Sequence, residues 1–174
     1  MSPVNDFTTN LATLLVRELN TFARELDLFP DDETAWKTAP GVTNSAANLA
    51  LHVAGNLQHF VGAVLGATGY VRKRDLEFSR TSGPRAEVKA ELEAAIAAVE
   101  RVLPTLTPEV LAAPYPLSLV PGKQMGTALF LQHLCSHAAF HLGQAGYLRR
   151  ALTGEATSAS PVSLPALMSL AQSK

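Results

Sequence analysis

The sequence predicts an all-α protein, a four-helix bundle formed as one domain over residues 1–174. Three observations carry that expectation. Four segments place apolar residues at the three-or-four spacing of an amphipathic helix. No segment shows the strict alternation of a half-buried strand, and no motif recurs at a solenoid period. Long stretches broken by proline and glycine join the second, third and fourth segments, as crossover connections do. A chain of 174 residues is long enough to bury a core of this kind.

The first helix is expected from about Asp6 to Leu28, with Phe7, Leu11, Leu14, Leu15, Leu19, Phe22 and Leu26 on its apolar face and Asp6 as its N-cap. "FPDDETAWKTAPGVTNS" breaks regular structure, and Asp31 or Asp32 can start a short turn that carries Trp36. Asn44 or Ser45 caps the second helix, roughly 45–66, whose stripe is Leu49, His52, Val53, Leu57, Phe60, Val61 and Leu65. The charged, glycine-punctuated "GATGYVRKRDLEFSRTSGP" is expected to be a long connection. The third helix follows, with Ser82 or Gly83 as its cap, Pro84 near its first position, and the strong helix formers of "KAELEAAIAAVERVL". Five prolines between 104 and 121 make the next stretch a structured crossover. The fourth helix runs from about 125 to 152, and the tail begins as a loop that can finish in a short helix.

Composition excludes several roles. The net charge is −1 and the 14 Lys and Arg are scattered, which leaves no basic face for nucleic acid. The single cysteine, Cys135, can make neither an intrachain disulfide nor a cysteine zinc knuckle, and a reducing, cytoplasmic setting is the simplest reading. The N-terminus lacks the basic start and cleavage site of a signal peptide. The most apolar run, "NLALHVAGNLQHFVGAVLGATGY", holds two His, two Asn and a Gln, so it is expected to be a buried helix rather than a membrane span.

Function is expected to lie with the five histidines, which sit on two helices only. On the fourth helix, His133, His137 and His141 are spaced four apart. Four residues advance a helix by about 400°, so neighbours in that series lie about 40° apart and one turn along the axis, a spacing that lets two imidazoles share an ion. His133 and His141 are separated by roughly 80° and about 12 Å, too far for all three to do so. The chelating pair is therefore 133/137 or 137/141. From the second helix, His52 and His59 lie about 20° apart around the axis and about 10.5 Å along it, so one of them can complete the site. Three imidazoles leave coordination positions open for water or substrate. The competing reading is a polar core network in which Gln58, Gln132 and Gln144 are the partners.

Other chemistries find little support. Cys135 lies about 200° around the helix from His137 and is expected to be a packed thiol. Neither Glu-x-x-His nor His-Glu-x-x-His occurs, which argues against di-iron carboxylate and zinc-protease sites. "GATG" lacks the lysine and spacing of a phosphate loop. Arg72, Lys73 and Arg74 are expected to form a solvated loop with Asp75 and Glu77 as local partners. Arg149 and Arg150 are expected to offset the C-terminal dipole of the fourth helix.

"NLALHVAGNLQHF", "SGPRAEVKAELEAAI" and "HLCSHAAFHLGQAGYLRR" together resemble the DinB-like (YfiT-like) superfamily over nearly the whole chain. That resemblance implies an up-up-down-down bundle with long crossover connections, often a homodimer. It implies a divalent transition metal, with nickel, zinc and iron all suited to three imidazoles, held by His52, His137 and His141. His59 and His133 then become neighbours that orient the ligands, line the pocket or pack in the core. Gln144 is placed with them beside the ligands or in the pocket, satisfying buried polar groups, and Gly143 would be structural, allowing close helix contact. Characterised relatives include metal-dependent transferases and isomerases that use low-molecular-weight thiols, so the implied activity is a thiol S-transferase-like reaction between a small thiol and an electrophile. The alternative is a non-catalytic, metal-binding or stress-related structural bundle.

Overall fold

Apolar residues repeating every three or four positions need a helix to share a face, and they form one wherever the sequence predicts it. A computed structural model describes residues 3–160 and 163–172. Helix α1 (Pro3–Asp27) opens on a proline, which a first turn tolerates because its missing N–H needs no partner there. Asp6 consequently lies inside the helix and is not its cap. Asp31 caps the short α2 (Asp32–Ala35), accepting from the Thr34 amide, and Trp36 closes it.

Helix α3 (Ala46–Leu57) starts at Ser45 with a reciprocal pair of capping bonds. Ser45 Oγ accepts from the Asn48 amide, and Asn48 Oδ1 accepts from the Ser45 amide. The helix then loosens into a π-helical stretch, Gln58–Leu65. Beyond it a Cβ on Gly66 would stand 2.2 Å from Val102 Cγ2, so only glycine lets the chain pass so close to α5 (Arg85–Val102). The connection between α3 and α5 is more ordered than a loop: it contains α4 (Arg74–Ser79). Pro84, rather than Ser82 or Gly83, takes the cap position of α5, and no side chain caps it. The Gly83 carbonyl is engaged elsewhere, accepting from Trp36 Nε1 at 2.7 Å.

A short 3₁₀ turn, Leu103–Thr105, and α6 (Pro108–Ala112) occupy the proline-rich crossover. Helix α7 (Thr127–Thr153) carries three histidines and stops at Gly154, whose φ of 72° is the left-handed conformation that ends helices. Helix α8 (Leu164–Gln172) follows. No named strand occurs among the described residues, and none of their helices is long and apolar enough to cross a membrane.

Of the four long helices, α1 packs against α5 and α7, and α3 packs against the same two. One core lies between them, with Leu15, Leu19 and Phe22 facing Val53, Leu57, Leu92, Leu131 and Leu134. Each such side chain contributes about 1.5–3 kcal/mol by leaving water. This packing sets α3 and α7 side by side, which is what positions the histidines.

One expectation fails in the core. Arg149 does not serve the helix dipole from the surface; its side chain is completely buried. Its Nε donates to Glu25 Oε1 and its Nη2 to the Thr157 carbonyl, while Glu25 Oε2 accepts from the Ala159 amide at 3.0 Å. A charge taken out of water needs such full pairing, and here the pair ties α1, α7 and the segment after Gly154 together.

Candidate metal centre

Three histidines converge where α3 and α7 face each other. His137 Nε2 lies 3.2 Å from His52 Nε2 and 3.0 Å from His141 Nε2. The three donor atoms all fall within 4.8 Å of one another, and theirs is the group of this kind found among the described residues. His52 is buried, whereas His137 and His141 are half-buried, so the cluster meets solvent along α7. The rings of Phe78 and Phe140 stand 4.8 Å from His52 and 5.4 Å from His141, giving the cluster apolar flanks.

The outer nitrogens are occupied. His52 Nδ1 lies 2.9 Å from Glu77 Oε2, and Glu77 is gripped by Arg72 through two bonds of 2.7 Å, Nε to Oε1 and Nη2 to Oε2. Arg72 Nη2 also comes within 3.2 Å of His52 Nδ1. A carboxylate can only accept, so the shorter contact requires the proton on Nδ1. His141 Nδ1 likewise donates to Gln144 Oε1 at 2.8 Å. In the neutral form of each ring, an unprotonated Nε2 is therefore turned inward.

Three neutral rings cannot satisfy that arrangement among themselves. His137 Nε2 faces two acceptors and can give a proton to only one of them, which leaves a lone pair against a lone pair at about hydrogen-bond distance. A cation resolves this conflict. Nitrogens on one zinc-like ion, at about 2.0–2.1 Å from it, lie roughly 2.9–3.4 Å apart, and the two short separations meet that range. The three histidines can thus hold a metal ion.

Electrostatics favour the neutral ligand state. Burial, then the imidazoles of His141, His52 and His133, drives His137 down to about 4. Burial also lowers His141, assisted by His52 and opposed by the bond to Gln144. For Glu77, burial works to raise its pKa, but the hydrogen bonds from Arg72 and His52 outweigh it and hold the carboxyl below its usual value.

The remaining candidates fall outside the cluster. His59 is half-buried against the Phe60 ring at 4.8 Å, and its Nδ1 has no hydrogen-bond partner. His133 is exposed, with its ring 5.8 Å from that of His137. The orienting bonds come instead from Glu77 and Gln144. Gly143 is exposed with open space around it, so it mediates no close helix contact; at Gly146 a Cβ would make an ordinary contact, 3.5 Å, with the Glu25 carboxylate. Gln58 bonds to Glu91 and Gln132 is exposed, so the polar network of three glutamines does not form. Cys135 is half-buried, and burial raises its pKa. Arg72 and Glu77 are not a solvated pair, as their side chains are 11% and 7% exposed. Their mutual pairing was expected, but their place beside His52 carried no sequence signal beyond a charged run.

The model of one protein family, the DinB superfamily, matches residues 14–145. The chain belongs to the DinB superfamily. The matched span takes in all three clustered histidines together with Glu77 and Gln144, and it ends before Arg149. No curated protein matches the chain. In this DinB-superfamily member the three-histidine cluster fits a metal site, and its identity as such a site rests on the tautomer conflict above.

Proposed function

We propose that the protein is a metal-dependent enzyme in which His52, His137 and His141 bind one divalent transition metal, nickel, zinc or iron, and that it catalyses a thiol S-transferase-like reaction. The observation that carries the metal is the inward convergence of three Nε2 atoms, two of them fixed as acceptors by Glu77 and Gln144. An ion held there would lower the pKa of a bound thiol or water toward neutrality. The chain supplies the rest. Glu77 and Gln144 hydrogen-bond to the outer nitrogens of His52 and His141, and the rings of Phe78 and Phe140 flank those two imidazoles. In the reaction proposed, the sulfur of a small thiol forms a bond to an electrophilic carbon while the bond from that carbon to its leaving group breaks; the leaving group departs with the bonding pair, and the thiol proton passes to it or to solvent. Support for a reactive rather than a closed structural site is the half-exposure of His137 and His141, since three ligands at a surface leave positions for substrate.

The proposed architecture is an up-up-down-down bundle. Its support is the packing of α1 and α3, consecutive long helices, on the same two partners, α5 and α7, as diagonal helices do when long connections cross between them.

Elemental analysis of protein purified without a polyhistidine tag tests the first step, and a thiol-conjugation screen with and without chelator tests the second. Close to one ion per chain and chelator-sensitive turnover are expected. A fully loaded protein that turns over no thiol would leave the non-catalytic alternative in its place.

A further inference from the structure

We infer that Glu77, braced by Arg72 and seated on Gly55, is a positioning residue that holds His52 in the Nδ1–H tautomer with its Nε2 aimed at His137 and His141. The inference rests on the metal site proposed above and gives a role to the connection between α3 and α5.

Three sets of contacts converge on Glu77. It accepts from His52 Nδ1 at 2.9 Å through Oε2, the same oxygen that takes Arg72 Nη2, while Oε1 takes Arg72 Nε. The backbone that carries it is pinned to the start of α3, where Asn48 Nδ2 donates to the carbonyls of Glu77 and Arg80 at 3.0 and 2.7 Å. Asn48 is also the residue that completes the cap of α3. One side chain thus starts the helix bearing His52 and anchors the segment that orients His52. Finally, the carboxylate lies directly on the helix surface at Gly55, where a Cβ would stand 2.4 Å from Glu77 Oε1.

The chemistry asks for such a group. A ligating imidazole usually donates its outer N–H to a carboxylate or carbonyl, which fixes ring and tautomer and makes the inner nitrogen a better donor. Gln144 does this for His141 with a neutral oxygen. Glu77 does it for His52 with a charged one, and Arg72 keeps that carboxylate ionised and correctly rotated.

The test is a chelator-competition titration of the full-length chain with Zn²⁺, comparing wild type with E77Q, G55A and H52A. It is paired with ¹⁵N shifts of the histidine rings in the metal-free proteins. E77Q keeps the size and one acceptor oxygen, while G55A leaves Glu77 chemically intact and displaces its carboxylate. Both are expected to bind Zn²⁺ about 10–100-fold more weakly, the usual cost of losing such a partner. The His52 signals should move from a single Nδ1–H tautomer in the wild type toward a mixture in G55A. A shift of tautomer separates orientation from a general loss of structure. Wild-type affinity in E77Q and G55A, with H52A losing the ion, would overturn the role of Glu77 and leave the metal site standing. Wild-type affinity in H52A would remove the site itself.

Discussion

Two buried carboxylate–guanidinium pairs sit in different parts of this molecule, and they end differently. Glu25–Arg149 closes on backbone: Arg149 donates to the Thr157 carbonyl, and Glu25 accepts from the Ala159 amide. Glu77–Arg72 closes on an imidazole whose far nitrogen lies 3.2 Å from that of His137. The first pair is satisfied by the chain and holds three segments together. The second passes its order on to an atom that the chain alone leaves in conflict. A buried ion pair is thus no sign of function by itself; what matters is whether its network is complete without a further ligand.

The largest effect should come from the complete network. Arg149→Met leaves the Glu25 carboxyl without its guanidinium partner in the core, and loss of one partner of a buried pair costs about 3–5 kcal/mol. Urea denaturation should show that loss, with Zn²⁺ affinity of the remaining folded protein unchanged. Somewhat smaller is the effect at the incomplete one. His137→Ala removes the nitrogen shared by both short contacts, so added metal should no longer raise the melting temperature. In the wild type, ion at 100 times its dissociation constant should add about 2.7 kcal/mol.

Acid sharpens the contrast further. His137 is held at about 4 in the fold against 6.5 for a free histidine, and His141 is lowered in the same direction. Between those values the unfolded chain binds protons that the folded one refuses, so metal-free stability should fall as pH drops from about 6.5 toward 4. Metal affinity should fall at the lower end of that range, as pH approaches about 4 and protons begin to compete for His137 in the folded protein. Denaturation midpoints and Zn²⁺ titrations at several pH values check both. The smallest effect belongs to Cys135→Ser, which touches neither network. Zn²⁺ affinity should stay within twofold of wild type.

What could be read from the sequence follows from what periodicity encodes. Helix positions were legible because apolar spacing determines them, and so was the presence of candidate ligands on two helices. Spacing could not choose between the 133/137 and 137/141 pairs, or between His52 and His59, because each choice obeys the same helical arithmetic. The fold separates them through details that no spacing rule contains. His59 falls in the π-helical stretch that begins at Gln58, its ring against Phe60, and packing leaves His133 exposed. Glu77 and Arg72 stayed hidden for another reason: they lie in a connection, where partners are set by tertiary placement. Arg149 did leave a trace. It falls on the same stripe as Leu134, Ala138 and Ala145, a charge on an apolar face, and Glu25 follows Leu11 and Glu18 at intervals of seven.

X-ray absorption at the metal edge of the Zn²⁺-loaded protein tests the central claim most directly. One ion per chain should show three imidazole nitrogens at about 2.0–2.1 Å, with the outer-shell scattering of histidine rings. A first shell of water and carboxylate oxygens, without the imidazole signature, would contradict the account.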